Sequence, residues 1–375
     1  MKHAGYRREG IGSRFPLDLP ALLGPARDEF RWRDDRCVAL ETGRAAIGWL
    51  IDALGLGPGD RALLPAYVCE AAVAPFRLRG VDLDFYRVGA NLVPDGEDAT
   101  SRLTPRTRLL MVVHYFGFPA SREALSGMPE AENLVRLEDW VQGPLSAGAL
   151  ADESFGDYRV LAWHKILPVP DSGLLIRGAG VPPPPHSPPL RAPRAAFFGR
   201  RLVAKSLKAL AVKITGGAPR GLYRPLFDAA ESAAGAGAPV RMSRFSRRLI
   251  ERLPLGAIVR RRRENFRRLA DALSDLPSLT LLRSDLPEGV CPLGLPVRLP
   301  DRDRVLARLV AARIYPPVHW ALPAEVDPAA FPEEAALAAE ELTLPVDQRY
   351  GAEEMDFIAG QLREALAREG QGGAL

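Results

Sequence analysis

The segment Trp163–Gly173, written WHKILPVPDSG, sets one lysine, Lys165, among apolar residues and prolines. Lysines and arginines together number 50, yet the lysines are only Lys2, Lys165, Lys205, Lys208 and Lys213. Arginine stays protonated under nearly all conditions, whereas a desolvated lysine can lose its proton and attack a carbonyl. Lys2 is terminal and three others share one basic stretch, so Lys165 stands alone in an apolar setting. The plain alternative is a lysine that snorkels from a strand end. His114, Glu138 and Asp139 join Lys165 at or near the ends of apolar runs. That clustering says more than any one of the residues.

Those runs alternate with helical patterns. Residues 42–57 carry apolar positions at helical spacing and end in glycine, as a helix C-terminus should. Residues 60–67, 82–88, 107–117, 133–140, 156–165 and 172–178 read as strands, and 70–80 as a helix. Strands alternating with helices predict a mainly parallel sheet covered on both faces. Ligands of such sheets bind at the carboxyl ends of the strands, where the candidate residues fall. Further on, a helical region at 246–276, strand residues within 289–300, and helices at 301–314 and 351–370 predict a smaller α/β domain. The expected division is a large domain over 1–180, an insertion over 181–245 and a C-terminal domain over 246–375.

Composition narrows the class. Hydrophobic residues make up 47% of the 375, enough for a sizeable core. The net charge of +4 calls for no nucleic-acid partner, and the Arg260–Arg263 run reads as a solvated face. Cys37, Cys69 and Cys291 are odd in number and far apart, which implies no disulfide framework and fits a reducing cytoplasm. The first residues have no long apolar core and do not read as a signal peptide. The proline-rich stretch 181–193 breaks the pattern as an irregular segment, and 229–239 reads as flexible. Between them, 197–214 is a helix whose Phe198, Leu202, Leu207, Leu210, Ala211 and Ile214 favour one face. Arg201, Lys205, Lys208 and Lys213 largely fall elsewhere. Such a helix could lie on an anionic membrane, or pack against its own domain.

Taken in order, TGRAAI, LGLGPGDRALLPAY, VVHYFGFPA, LEDWVQG, the lysine segment, YPPVHW and LTLPVDQRYGAEEMDFI resemble the DegT/StrS-like family of sugar-nucleotide aminotransferases. The resemblance runs from roughly residue 36 to 370, with a gap at about 181–240. It implies the fold of pyridoxal-phosphate (PLP) transferases: a large domain with a seven-stranded, mainly parallel sheet and a smaller C-terminal α/β domain. Under it Lys165 is the amine that joins the cofactor aldehyde and later moves protons. Asp139 matches the carboxylate facing the pyridine nitrogen. Glu138 should face the other way, because adjacent strand residues point to opposite sides. Gln142 matches a residue near the cofactor's phenolic oxygen. The phosphate is expected at the helix start formed by Thr42, Gly43, Arg44 and Ala45, where free N–H groups and the dipole favour an anion.

The chain departs from the family pattern in several places. Ala162 takes the position of a phosphate-binding serine, and the segment leading to Lys165 is about two residues shorter. Cys69 stands where an aromatic residue often stacks on the cofactor, and Tyr67 is the expected substitute. Met242, in RMSRFS (241–246), takes the place of an asparagine that the family contributes from a partner subunit. His164, His319 and Trp320 are the expected substrate contacts. The implied reaction transfers an amino group from an amino acid, with glutamate as the expected donor, to a keto-sugar nucleotide in a cytoplasmic homodimer. The alternatives are a non-nucleotide or lipid-linked substrate in the same chemistry, and a binding protein that keeps the fold without catalysis.

Overall fold

The computed structural model describes residues 10–27, 35–152, 154–215, 220–233 and 239–367. Strands β1 (Cys37–Leu40), β2 (Arg61–Pro65), β3 (Asp82–Tyr86), β4 (Thr107–Val113), β5 (Val135–Asp139), β6 (Tyr158–Leu161) and β7 (Gly173–Arg177) form a seven-stranded sheet. Its order is β1-β7-β6-β5-β4-β2-β3. The pairs from β6 to β3 are parallel, and β7 runs antiparallel to both β6 and β1. Apolar runs such as Leu109–Val112 are buried completely, as central strands covered on both faces must be. This is the α/β fold that the alternation predicts.

Helix α1 (Gly43–Leu54) follows β1. Thr42 caps it by accepting from the Ala45 N–H at 3.2 Å, and Gly55 ends it at φ 69°, the left-handed conformation that suits glycine. Helix α2 (Glu70–Arg77) follows β2. The expected strand over 156–165 stops at Leu161, and Trp163–Lys165 form a single 3₁₀ turn instead. That turn carries Lys165 beyond the carboxyl end of β6.

Within the insertion, helices α3 (Ala195–Thr215) and α4 (Arg220–Ala233) pack against each other. The flexible reading of 229–239 is corrected as far as Ala233, which is helical; 234–238 lie outside the described residues. Of the two readings of α3, packing against its own domain is the one observed, with the basic side turned inward. Arg201, Lys205 and Lys208 are buried, whereas Leu210 and Ile214 are 52% and 71% exposed. Packing against α4 and the segment 13–17 places the cations inward: Lys205 Nζ donates to the Phe15 carbonyl at 3.0 Å, and Lys208 Nζ to Ser13 Oγ at 3.0 Å. The Lys213 side chain lies outside the described ones.

The helical region 246–276 is two helices, α5 (Arg244–Ile250) and α6 (Leu255–Leu273), separated at Pro254. A second sheet of β8 (Thr280–Leu281), β9 (Leu295–Arg298) and β10 (Glu341–Leu344) is antiparallel in the order β10-β9-β8. Helix α6 and the last helix, α7 (Ala352–Ala367), pack together beside it. The Arg260–Arg263 run is not wholly solvated. Arg262 is buried, with its guanidinium donating to the carbonyls of Pro292 and Leu293 and to Gln348 Oε1.

Candidate active site

A cavity of about 440 Å³ opens beyond the carboxyl ends of β4 and β5. Asp139 closes β5 and borders this cavity, with Oδ1 accepting from the Val141 N–H at 2.8 Å. Burial raises its carboxyl to about 6, while the nearby charges of His114 and Lys165 pull in the other direction. Glu138, one residue earlier, turns away as pleating requires. It accepts from the Gly156 N–H at 3.0 Å and meets His114 Nε2 at 2.9 Å, with Ser154 as a further donor. Those donors hold its carboxyl below the usual range despite burial. Of the two acids, Asp139 is the one available to a bound molecule.

Lys165 enters the same cavity from the 3₁₀ turn. Among the described residues its amine makes no hydrogen bond or ion pair. The turn is held from several sides. The His164 N–H donates to Ser172 Oγ at 2.6 Å, and Gln348 Nε2 donates to the Ile166 carbonyl at 2.8 Å. Asp171, in the following loop, accepts from the Ser243 N–H and Oγ, both at 2.6 Å, and from Ser246 Oγ. His164 also lines the cavity; burial first, then the charges of Arg201 and Lys165, push its pKa far down, so its imidazole is neutral.

Gln142 lines the cavity with an amide whose oxygen accepts from the Phe116 N–H at 2.7 Å. Its Nε2 is buried without a hydrogen-bond partner among the described residues. A buried donor left unmatched costs about 1–3 kcal/mol, and an acceptor inside the cavity would remove that cost. Gly43 and Arg44, at the start of α1, form another part of the wall. A Cβ built at Gly43 would lie 3.1 Å from Val141 Cγ2 and 3.7 Å from Ala162 Cβ, so a side chain there would crowd the wall. Ala162 thus abuts the helix start with a methyl group and offers no hydroxyl.

Elsewhere in the wall, the His319 N–H donates to Glu341 Oε2 at 2.7 Å, and its Nδ1 lies 2.8 Å from Thr343 Oγ1. Burial lowers His319 to about 3 and raises Glu341 to about 8. Trp320 lies beside it, its ring centroid 5.5 Å from that of Tyr67.

Of the residues singled out in the sequence, Gly43, Arg44, Cys69, Asp139, Gln142, Ala162, His164, Lys165, His319 and Trp320 line this one cavity. Ala45 and Tyr67 do not. The Ala45 N–H is taken up by Thr42, and Tyr67 lies fully buried behind Trp320, with the Tyr115 hydroxyl donating to its carbonyl at 2.6 Å. Tyr67 is therefore in no position to stack on a molecule in the cavity. Met242 is also outside the wall, buried in the core with its N–H donating to the Ala39 carbonyl. Sequence reading missed Val141, Arg201, Lys205, Arg262 and Asp347 as wall residues. The rarity of lysine that singled out Lys165 was equally a signal for Lys205.

Residues 30–153 match the model of the DegT/DnrJ/EryC1/StrS aminotransferase family, so the resemblance read from the motifs is shown over that stretch. The chain is 26% identical over 270 residues to the dTDP-4-dehydro-2,3,6-trideoxy-D-glucose 4-aminotransferase of Saccharopolyspora spinosa. That match covers 68% of this chain and 63% of the relative, which is less than two thirds of its length. Among solved structures, the aminotransferase TlmJ of Streptoalloteichus hindustanus superimposes with a TM-score of 0.65 at 22% identity, covering 89% of this chain and 86% of that one. A Streptococcus pneumoniae protein solved in its PLP form gives 0.65 at 14% identity, covering 88% and 87%. The shared fold is thereby shown.

Proposed function

We propose that the protein is a PLP-dependent aminotransferase that moves an amino group from an amino acid, with glutamate as the donor, to a keto-sugar nucleotide. The observation that carries this reading is the meeting, in one cavity, of an unengaged lysine amine, a buried carboxylate and an unmatched amide donor. These groups fit PLP: Lys165 for its aldehyde, Asp139 for its pyridine nitrogen, Gln142 Nε2 for its phenolic oxygen, and the start of α1 at Gly43 for its phosphate. When bound, PLP supplies an electron-accepting ring that stabilises negative charge developing on the substrate carbon.

The chain's own groups do the rest. The Lys165 amine accepts and returns the proton at the reacting carbon. Asp139 stays ionised opposite a protonated ring nitrogen, a charge pair that offsets the cost of its burial. The clasp of Ser243 and Ser246 on Asp171, and the bond from Gln348 to Ile166, limit the positions the lysine turn can take. His319 and Trp320 form another part of the wall, where a sugar would be sheltered from water. The inward turn of α3 removes the sequence feature that favoured a lipid-linked substrate. On this reading the protein works as a homodimer, with the large domain ending near 180 and the C-terminal one beginning near 246.

Borohydride treatment of the holoprotein followed by peptide mapping tests the reading. The expected label is on Lys165, and it disappears in Lys165→Ala. A label elsewhere, or none, overturns it. Added glutamate should shift the cofactor absorbance, and added keto-sugar nucleotide should reverse the shift.

A further inference from the structure

The cavity wall is far more cationic than the overall charge of the chain suggests. Besides Lys165 it carries Arg14, Arg44, Arg201, Lys205, Arg262 and Arg349. Its acids are Asp139 and Asp347, and Asp347 is already bound by Arg349 Nε and Nη2 at 2.8 and 2.9 Å. Arg201 and Lys205 lie one helical turn apart on the inner face of α3 and are each 2% exposed. Burial first, then the charges of Arg201, Lys208, Arg14 and Arg349, disfavour the charged form of Lys205. Burying like charges together is costly unless an anion joins them.

Position narrows the kind of anion. Arg201 lines the cavity together with His164 and Lys165 of the lysine turn, and its charge acts on both His164 and Asp171. Asp171 itself is occupied by Ser243 and Ser246. That loop runs into Gly173, packed so tightly on Thr42 and Gly43 that a Cβ would lie within 3.0 Å of their backbone. Arg201 thus shares one cavity wall with the start of α1 at Thr42–Arg44 and with Ala162, which offers only a methyl group. We propose that Arg201 and Lys205, presented by α3, form a phosphate-binding subsite of this cavity, supplied by the same chain. The phosphate belongs either to the cofactor or to the diphosphate of the sugar nucleotide, and the two sources are separable.

This inference rests on the PLP reading only for the cofactor arm. The test uses the full-length chain and the variants Arg201→Met and Lys205→Met, which keep length and lose charge. Binding is measured for PLP against pyridoxal, for dTDP against thymidine, and for pyrophosphate. The expected result is a loss of about tenfold or more for pyrophosphate and for the phosphorylated member of one pair, with its unphosphorylated member unchanged. A loss confined to PLP assigns the cofactor phosphate, and one confined to dTDP assigns the substrate. Unchanged binding throughout, or equal losses within both pairs, overturns the proposal. Should the variants fail to fold, protection of the unaltered protein against thermal unfolding by pyrophosphate decides, and absence of protection refutes it. If pyrophosphate binds through Arg201 while borohydride labels no lysine, the PLP reading fails and the subsite stands.

Discussion

At the scale of single residues, the contrast between Glu138 and Asp139 is the most informative. Neighbours in sequence, they differ in environment: hydrogen-bond donors hold the first ionised, and burial raises the second to about 6. In the free protein Asp139 therefore takes up a proton as pH falls through about 6. A protonated pyridine nitrogen needs the ionised form, so PLP affinity should weaken below that pH; Asp139→Asn should remove this dependence and lower kcat by about a hundredfold or more, read from cofactor titrations and steady-state rates. Glu341 offers a second check. Its carboxyl is raised to about 8 by burial, so stability is fullest below the ordinary carboxylate value and is lost as pH rises through about 8. Urea unfolding of Glu341→Gln should show the variant gaining on the original between pH 5 and pH 9; a gap independent of pH would contradict the shift.

At the scale of elements, the lysine turn and α1 supply two parts of the cavity wall. Thr42→Ala removes the cap of α1 and is expected to cost about 1 kcal/mol of stability. Ser243→Ala removes a donor from the buried Asp171 and also uncaps α5, since Ser243 Oγ accepts from the Ser246 N–H at 3.1 Å. A loss of about 1–3 kcal/mol should appear in denaturant titrations, with a fall in kcat as the lysine turn loosens. The sequence located α1 well, because a capping threonine and a terminal glycine mark its ends. It misjudged 156–165, because a strand's apolar run and a buried turn look alike when both are covered. It left α3 open between a membrane surface and its own domain for a related reason. Helical periodicity separates two faces but does not say which one meets the protein.

At the scale of the whole molecule, distant segments converge on the cavity. Residues 10–17, where the sequence offered no element, are pinned at both ends: the Ile11 N–H donates to the Arg313 carbonyl at 2.9 Å, and the Leu17 N–H to that of Lys205 at 3.1 Å. Arg262 links α6 to Gln348, which in turn holds Ile166 beside Lys165. Arg262→Met should strip three acceptors of their partner and destabilise the protein by about 3 kcal/mol in thermal or urea unfolding. Among the described residues no helix is long and apolar enough to cross a membrane. With Lys205 and Lys208 turned inward, their replacement should leave any binding to anionic vesicles unchanged, as a flotation assay would show.

The sequence by itself determined the alternation of elements, the parallel sheet and the lysine and carboxylate at its strand ends, because these depend on local periodicity and on scarce residue types. The tertiary structure alone decided which face of α3 is hidden, that Tyr67 lies behind Trp320, and that Arg262 and Lys205 belong to the cavity. Each of those depends on what packs against a side chain from far along the chain, and short-range patterns carry no record of that.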